Sequence, residues 1–364
     1  MQLSKYSLPE IHIDIPLLLA LLLLCGAGLM ILFSAADQNM EIVIRQSVRL
    51  GIGLVGMLII AQIPMRTLMW WAPWIFGFGL LMLIAVVFVG HTGKGAQRWL
   101  DLKFVKFQPS EVMKIAVPLM VAWYLNDKFT PPKFSNIILG LVIIIVPTIL
   151  IARQPDLGTS ILIAASGAYV LFLSGLRWRF IGLAGILGMI AAPLLWYGMK
   201  DYQKQRVLTL FDPGSDPLGA GYHIIQSKIA VGSGGLFGKG WLNGTQSQLG
   251  FLPERTTDFI FAVYCEEFGF LGVLALISLY CFIILRCLYM AKEAQGTFSR
   301  LVAGSLALTF FTYVFVNMGM VTGLLPVVGV PLPLISYGGT SIVTLLLGFG
   351  LIMSAYSHRG LMSR

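Results

Sequence analysis

The chain has 364 residues, of which 57% are hydrophobic and only 11% are charged, and its formal net charge is +9. In soluble domains roughly a quarter of the residues are charged. A water-soluble globule with as few charges as this chain would expose apolar surface that it could not tolerate. The composition therefore excludes an ordinary soluble enzyme, and the positive charge is better explained by the positive-inside rule of membrane proteins than by a nucleic acid partner.

Long apolar runs follow one another along the chain, and each is long enough, or nearly so, to cross a hydrocarbon core of about 30 Å. They predict an all-α polytopic membrane protein, a bundle of about ten transmembrane helices in one domain that covers residues 1–364. The first run is too long for the core of a typical cleavable signal, so we expect it to be retained as a helix. The predicted spans are 15–36, 43–63, 68–89, 109–126, 136–152, 157–175, 181–198, 258–285, 301–324 and 340–357.

The short connections orient this bundle, because lysine and arginine in short loops mark the cytoplasmic face. An even number of spans puts both termini on that face. The basic residues on that side are Lys5, Arg66, Lys128, Lys133, Arg177, Arg179, Arg286, Lys292, Arg300, Arg359 and Arg364.

Two basic segments lie on the opposite side, namely residues 91–108 and the long, glycine-rich loop 199–257. Long outer segments are exempt from the positive-inside count. Two explanations of their charge stay open: simple solvation of a loop, or an anionic ligand held at the outer leaflet. A structureless loop of this length would be unusual, and the apolar helical repeat within 219–235 predicts a helix that lies in the membrane interface.

Ionisable residues within or beside the spans are informative, because each is costly in lipid unless it is paired or faces a wet cavity. The predicted topology gathers several of them on the outer half, which favours a polar cavity open to the outer leaflet. Structural alternatives remain for single residues, since Glu111 and Lys114 have the spacing of an intrahelical ion pair and Asp258 could merely cap a helix. The outer residues are Arg45, Arg49, Arg98, Glu111, Lys114, Asp156 and Asp258.

Nucleotide and zinc sites are not supported. Gly238-Lys239 is followed by Gly240 rather than Ser or Thr, so the P-loop spacing is absent. The histidines are widely scattered, and the cysteines have no metal-like or disulfide-like spacing.

Several long motifs resemble those of the SEDS family (shape, elongation, division and sporulation), in the same order and over nearly the whole chain. Within the family, the stretch from Arg206 to Thr257 is closer to the elongation branch than to the division branch. The motifs are Lys94-Gly-Ala-Gln-Arg-Trp-Leu100, Phe107-Gln-Pro-Ser-Glu111, Gln154-Pro-Asp-Leu-Gly-Thr-Ser160, Asp216-Pro-Leu-Gly-Ala-Gly-Tyr-His-Ile-Ile-Gln-Ser-Lys228, Phe251-Leu-Pro-Glu-Arg-Thr-Thr-Asp-Phe259 and Gly329-Val-Pro-Leu-Pro-Leu-Ile-Ser-Tyr-Gly-Gly339.

The resemblance implies a peptidoglycan glycosyltransferase that polymerises lipid II, a disaccharide-peptide on undecaprenyl pyrophosphate, during cell elongation. It implies an active site on the periplasmic side of the cytoplasmic (inner) membrane, membership of the elongation machinery, and a class B penicillin-binding protein as partner. That partner would pack its single helix on the late transmembrane helices. The stretch from Gly319 to Gly323 is a candidate contact, and packing inside the protein explains it equally well.

A lipid II flippase and a non-enzymatic scaffold for the penicillin-binding protein are the alternative functions. Polar residues inside a bundle also suit a translocation path. A flippase should line both leaflets, however, and the inner half of this chain is almost uncharged.

The resemblance puts the family's catalytic aspartate at Asp258, which we expect to act as general base toward the 4-hydroxyl of the acceptor sugar. Glu111 is expected to orient Lys114, and Asp156 to support the cavity or a cation. No dedicated metal ligand set is evident and no cofactor is predicted, although a divalent cation bridging the pyrophosphate is compatible with this chemistry. The basic candidates for substrate binding are Arg49, Lys94, Arg98, Lys114 and Lys228.

Overall fold

The computed structural model describes residues 12–93, 96–101, 106–128, 131–199, 201–215, 219–252 and 254–357. Short strands accompany the helices: β1 (His91–Gly93), β2 (Ala96–Asp101) and β3 (Lys106–Phe107), with one 3-10 turn at Pro213–Ser215. The helices are α1 (Ile15–Ala35), α2 (Met40–Ala61), α3 (Met65–Val89), α4 (Pro109–Asn126), α5 (Phe134–Arg153), α6 (Leu157–Leu173), α7 (Trp178–Gly198), α8 (Asp201–Phe211), α9 (Ala220–Ser233), α10 (Thr245–Gln248), α11 (Ile260–Glu293), α12 (Thr297–Val321) and α13 (Thr340–Ser357).

The helices form a membrane bundle of the predicted kind. Among the described residues, 7 helices are long and apolar enough to cross a membrane: α1, α2, α3, α5, α11, α12 and α13. The apolar helix α6 and the first part of α7 are shorter, and α4 interrupts its apolar sequence with Glu111 and Lys114. Together they make the bundle of about ten spans that the sequence predicts, and the all-α, multi-pass membrane architecture is confirmed.

Short polar side chains begin several of these helices. The first N–H groups of a helix have no partner within it, and in an apolar environment each unpaired group is costly. Asp and Asn at the N-cap supply the missing acceptor. The caps are Asp14 to the Leu17 amide at 3.0 Å, Asn39 to the Glu41 amide at 3.0 Å and Asp156 to the Thr159 amide at 3.3 Å.

Helix α11 is broken, which the single predicted span 258–285 did not anticipate. Gly269 has a φ of 62°, a conformation that glycine adopts without steric cost. The loop 234–240 enters the break and pairs the backbone groups that the missing helical turn leaves free. These hydrogen bonds, of 2.9–3.1 Å, run from a backbone amide to a backbone carbonyl: Lys239 to Glu266, Gly240 to Glu267, Phe270 to Gly235 and Leu271 to Leu236. The short first part of α11 is therefore tied to the loop that precedes it.

The long segment 199–257 contains the helices α8, α9 and α10. Helix α9 occupies the region for which an interfacial helix is predicted. Its Ile224 and Ala230 side chains are buried, whereas Ile225 and Ile229 remain exposed. The helix thus packs one face on the bundle and keeps an apolar surface on the other.

A small antiparallel sheet forms in the segment between α3 and α4, where the sequence analysis predicts no secondary structure. Strand β2 pairs with β1 on one side and with β3 on the other. The sheet carries Arg98 on β2, next to the start of α4.

The bundle has two chemically distinct ends, named here after the residues at which helices begin. The Asp14 end is where α1 starts, and the Asp258 end is where α11 starts. Polar contacts close the Asp14 end: the His12 amide bonds Gln62 at 3.4 Å, Ser354 bonds the Ile63 carbonyl at 2.5 Å and the Phe298 amide bonds Asn126 at 3.2 Å. The Asp258 end contains the sheet, the segment 199–257 and the cavity described next.

Candidate active site

A polar cavity of about 180 Å³ opens at the Asp258 end, between α4, α6, α12, strand β2 and the loop that precedes α13. It gathers four of the charged residues that the sequence analysis assigns to the outer half of the bundle: Arg98, Glu111, Lys114 and Asp156. Its lining residues are Arg98, Trp99, Gln108, Glu111, Lys114, Asp156, Thr159, Leu162, Tyr313, Gly329, Val330, Pro331, Gly339, Thr340 and Ser341.

The deep side of the cavity holds a buried ion pair on α4. Lys114 Nζ lies 2.7 Å from Glu111 Oε1, three residues earlier on the same helix face. Both side chains are almost fully buried, at 8% and 5% exposure. The ammonium group also lies 5.3 Å from the centre of the Tyr313 ring, on α12. Such a contact adds electrostatic stabilisation to the buried cation.

Arg98 and Asp156 form a second, looser charged pair at another wall of the cavity. Arg98 Nη1 lies 3.6 Å from Asp156 Oδ2, and the guanidinium also donates to the carbonyls of Gln154, at 3.3 Å, and Pro155. Gln108 donates to Asp156 Oδ2 at 3.2 Å. The strand, the α5–α6 turn and the start of α4 are thereby fastened together at this wall.

Asp258 lies at the border of the cavity. Its side chain is half-buried, and its Oδ2 is 3.5 Å from the position that a Cβ atom on Gly329 would occupy. Gly329 itself lines the cavity and has a φ of 75°. Gly329 thus connects the lining to Asp258, which is not itself among the lining residues.

The backbone around Asp258 is anchored from two sides. The buried Asn317 side chain on α12 donates to the carbonyl oxygens of Asp258, at 2.9 Å, and Val330, at 2.7 Å. Ser336 donates to the carbonyl oxygen of Thr257 at 2.6 Å. These bonds join the start of α11 to α12 and to the loop before α13, so the carboxylate is held on a rigid support.

Arg49 lies beside the cavity rim. Its guanidinium on α2 is 4.8 Å from the centre of the Tyr337 ring and donates to the Gly338 carbonyl at 3.3 Å. Gly339, the next residue, lines the cavity. Arg45 instead pairs with Glu41 on the exposed face of α2.

The remaining basic candidates are not gathered at this cavity by the described part of the chain. The Lys228 side chain on α9 packs against the end of α12, with Nζ 2.7 Å from the Cβ position of Gly323, and it is not among the lining residues. Gly319 is covered in the same way by Leu325. Both glycines of the predicted partner contact thus pack against this chain. Lys94 lies outside the described residues.

Sequence reasoning missed two residues of α12, Asn317 and Tyr313. Both are almost fully buried, and both stand as polar groups in the apolar span 301–324. Their position was a usable signal, because a polar side chain within a span requires a partner or a cavity. They were not predicted because only charged residues were considered as candidates.

The cavity can bind a ligand that carries both charge and hydrogen-bonding groups. Two cations, Arg98 and Lys114, face two carboxylates, Glu111 and Asp156, so the lining is balanced in formal charge. A third carboxylate, Asp258, stands at the border, where it could accept a proton from a bound hydroxyl.

Comparison with known sequences identifies the relatives of this chain. Residues 8–360 match the FtsW/RodA/SpoVE family, described as cell cycle proteins. The peptidoglycan glycosyltransferase MrdB of Escherichia coli K12 is 56% identical over 356 residues, which cover 98% of this chain and 96% of that protein. The protein of the same description from Helicobacter pylori is 36% identical over 358 residues, covering 96% of this chain and 91% of its own length.

Solved structures resemble the fold over nearly its full length. One comes from work on the structural coordination of polymerization and crosslinking by a peptidoglycan synthase complex. Its TM-score is 0.82 at 33% identity, over 95% of this chain and 99% of that chain. The crystal structure of the rod shape determining protein RodA of Thermus thermophilus has a TM-score of 0.73 at 28% identity, over 95% and 98% of the two chains.

Proposed function

The chain belongs to the SEDS family of FtsW/RodA/SpoVE cell cycle proteins, and from this premise we propose that it is the peptidoglycan glycosyltransferase that polymerises lipid II during cell elongation. The observation that carries the proposal is the Asp258 carboxylate at the border of a polar cavity that contains Lys114 and Arg98.

The reaction inverts the configuration of one sugar carbon. The 4-hydroxyl oxygen of the acceptor attacks the anomeric carbon of an α-linked glycosyl pyrophosphate, a β-1,4 bond forms, and the bond to undecaprenyl pyrophosphate breaks. The hydroxyl proton passes to Asp258 as general base, and the bonding pair leaves with the pyrophosphate. A single displacement needs no covalent enzyme intermediate.

The basic residues stabilise the negative charge that develops on the leaving group. Lys114 acts as a point charge, and Arg98 and Arg49 supply guanidinium donors on the wall and rim. Because Glu111 and Asp156 offset the two lining cations, the cavity lining carries no excess of positive charge. Lys228, which does not line the cavity, and Lys94 stay candidates for contacts with other parts of the substrate.

A divalent cation enters this scheme only with the pyrophosphate. Among the described residues there is no group of three or more His, Cys, Asp and Glu side chains that could hold a metal ion. Asp156 is the cavity carboxylate that would face such a cation, and no step of the proposed reaction depends on it.

The membrane orientation follows the basic loops. The Asp14 end, with both termini, is cytoplasmic, and the Asp258 end opens to the periplasm. This orientation exposes the cavity to lipid II that has already reached the outer leaflet of the inner membrane.

The partner is a class B penicillin-binding protein that crosslinks the new strands. Support comes from the similar structure of a peptidoglycan synthase complex that coordinates polymerization with crosslinking. The exposed aromatic pair Phe311 and Phe315 on α12, with ring centres 5.9 Å apart, offers a lipid-facing surface of the late helices for its transmembrane helix.

Polymerisation of lipid II by the purified protein in detergent, with and without the penicillin-binding partner, tests the proposal. We expect glycan strands that a gel resolves by length. Polymer made in detergent excludes flipping as its cause, because no second leaflet is present. If no polymer forms even with the partner, the scaffold function replaces the proposed one.

A further inference from the structure

The Tyr313 hydroxyl is a buried donor without an acceptor. The side chain is 2% exposed and lines the deep side of the polar cavity. Among the described residues, no acceptor is found for its hydroxyl hydrogen. Lys114 is its cationic neighbour, and an ammonium that donated to the phenol oxygen would still leave the hydroxyl hydrogen unused. Buried polar groups of this kind call for an explanation, and an absent ligand is one.

An unused acceptor lies in the same cavity. Glu111 Oε1 receives Lys114, but Glu111 Oε2 is buried and without a partner among the described residues. The deep side of the cavity therefore holds a buried donor, the Tyr313 hydroxyl hydrogen, and a buried acceptor, Glu111 Oε2, that the described residues leave unsatisfied.

The chemistry of this pair selects the bound group. A phosphate offers acceptors only, so it would satisfy Tyr313 and be repelled by the Glu111 oxygen. A cation would satisfy Glu111 and leave the Tyr313 hydroxyl unused. A secondary amide satisfies both, because its carbonyl accepts and its N–H donates.

We propose that Tyr313 and Glu111 form a subsite for the acetamido group of the donor sugar, with Tyr313 donating to the carbonyl oxygen and Glu111 accepting the N–H. The inference rests on the proposed function and deepens it. In a 2-acetamido sugar this group is attached next to the anomeric carbon that carries the pyrophosphate. Lys114, which contacts both residues, then lies where a pyrophosphate bound beside the acetamido group would need a cation.

The subsite gives Tyr313→Phe opposite effects on stability and on binding. The free protein loses a buried hydroxyl whose hydrogen has no acceptor among the described residues, so its melting temperature should stay equal or rise. The complex loses one hydrogen bond to an uncharged group, so the KM for lipid II should rise by about 3- to 12-fold.

Tyr169→Phe is the matched control. The Tyr169 hydroxyl on α6 has a partner, Thr312 Oγ1 at 2.7 Å, and lies outside the cavity lining. Its removal should lower the melting temperature and leave the KM unchanged. The two tyrosines thus separate a structural hydroxyl from a ligand-binding one.

A substrate analogue completes the test. Lipid II with a 2-hydroxyl in place of the 2-acetamido group should bind more weakly than lipid II to the wild type. The analogue should also bind equally well to wild type and Tyr313→Phe, because each change removes the same hydrogen bond. Binding is measured by the rise in melting temperature that the lipid causes, which requires no turnover.

Three results would overturn the subsite. The first is an affinity of Tyr313→Phe for lipid II equal to that of the wild type, and the second is that the affinity losses caused by Tyr313→Phe and by the analogue add up. The third is an affinity loss in Tyr313→Phe that depends on salt concentration, as the loss of a pyrophosphate contact would. A wild type that binds lipid II without polymerising it would instead contradict the proposed function, and the binding comparison would still decide the subsite.

Discussion

Two ion pairs at opposite ends of the bundle hold charge in an apolar setting, and they differ in what they leave unpaired. At the Asp14 end, Asp14 Oδ1 accepts from the Leu17 amide, at 3.0 Å, and from Arg286 Nε, at 3.1 Å, while Oδ2 accepts from Arg286 Nη2 at 2.6 Å. In the cavity, Lys114 meets one oxygen of Glu111, and the other has no partner among the described residues.

The contrast separates a structural charge from a functional one. When both oxygens of a carboxylate accept hydrogen bonds from within the protein, those bonds offset the cost of removing it from water, and no ligand is required. A buried carboxylate with an unpaired oxygen, next to a hydroxyl whose hydrogen has no acceptor, is costly until a ligand binds. We therefore expect substitutions at the Asp14 end to change stability and substitutions at the Asp258 end to change activity.

The largest effect on activity is expected at Asp258. Asp258→Asn keeps the size of the side chain and removes its ability to accept a proton. Polymerisation should fall by about 10²- to 10⁴-fold, the usual contribution of a general base, with the melting temperature and partner binding unchanged. Substantial polymer from this variant would remove Asp258 from the mechanism.

Lys114→Ala should follow, with a loss of about 10²- to 10³-fold in the polymerisation rate, since it removes a preorganised charge that faces the leaving group. Lys128→Ala is the matched control. Lys128 is exposed beyond the end of α4, and its ammonium lies 5.5 Å from the centre of the Tyr124 ring. Rates from the two variants under the same conditions decide the point, and equal rates would contradict a functional cavity at the Asp258 end.

Asn317→Ala should lower both the stability and the polymerisation rate, with a smaller effect on the rate than Lys114→Ala. The change leaves the carbonyls of Asp258 and Val330 without the amide that joins them. Unfolding should become easier by about 1–3 kcal/mol, and the polymerisation rate should fall about tenfold because Asp258 is less well held. A variant with lowered stability and wild-type rate per folded molecule would show that Asn317 does not position Asp258.

Asp14→Asn should have the smallest effect on activity. Asparagine keeps an acceptor for the Leu17 amide but loses the charge that pairs with Arg286. The free energy of unfolding should fall by about 1–3 kcal/mol, while polymer yield per folded molecule stays at the wild-type value. Thermal denaturation and the polymerisation assay on the same preparation measure both, and a selective loss of activity would erase the distinction between the two ends.

Sequence reasoning predicted the architecture well because apolar runs in a membrane protein are set by bilayer thickness. The break in α11 could not be predicted from the sequence, because it depends on the pairing of the loop 234–240 with the backbone groups that the break at Gly269 leaves free. The small sheet was missed for a related reason: its strands are short and their pairing depends on neighbours in space.

The site was predicted in part. Arg98, Glu111, Lys114 and Asp156 line one cavity, as expected from the cost of unpaired charge in lipid. Tyr313 and Asn317 were missed because the prediction used only the charged residues of the spans, although uncharged polar residues there are a signal as well. The packing of Lys228 against the end of α12 depends on how α9 folds back on the bundle, which spacing along the chain does not encode.

A structure of Asp258→Asn with lipid II bound, determined in a lipid nanodisc, tests the central claim most directly. The account predicts the pyrophosphate in the polar cavity against Lys114 and Arg98, with a sugar hydroxyl facing residue 258. Lipid II bound at the Asp14 end, or on the outer surface of the bundle with the cavity empty, would contradict it.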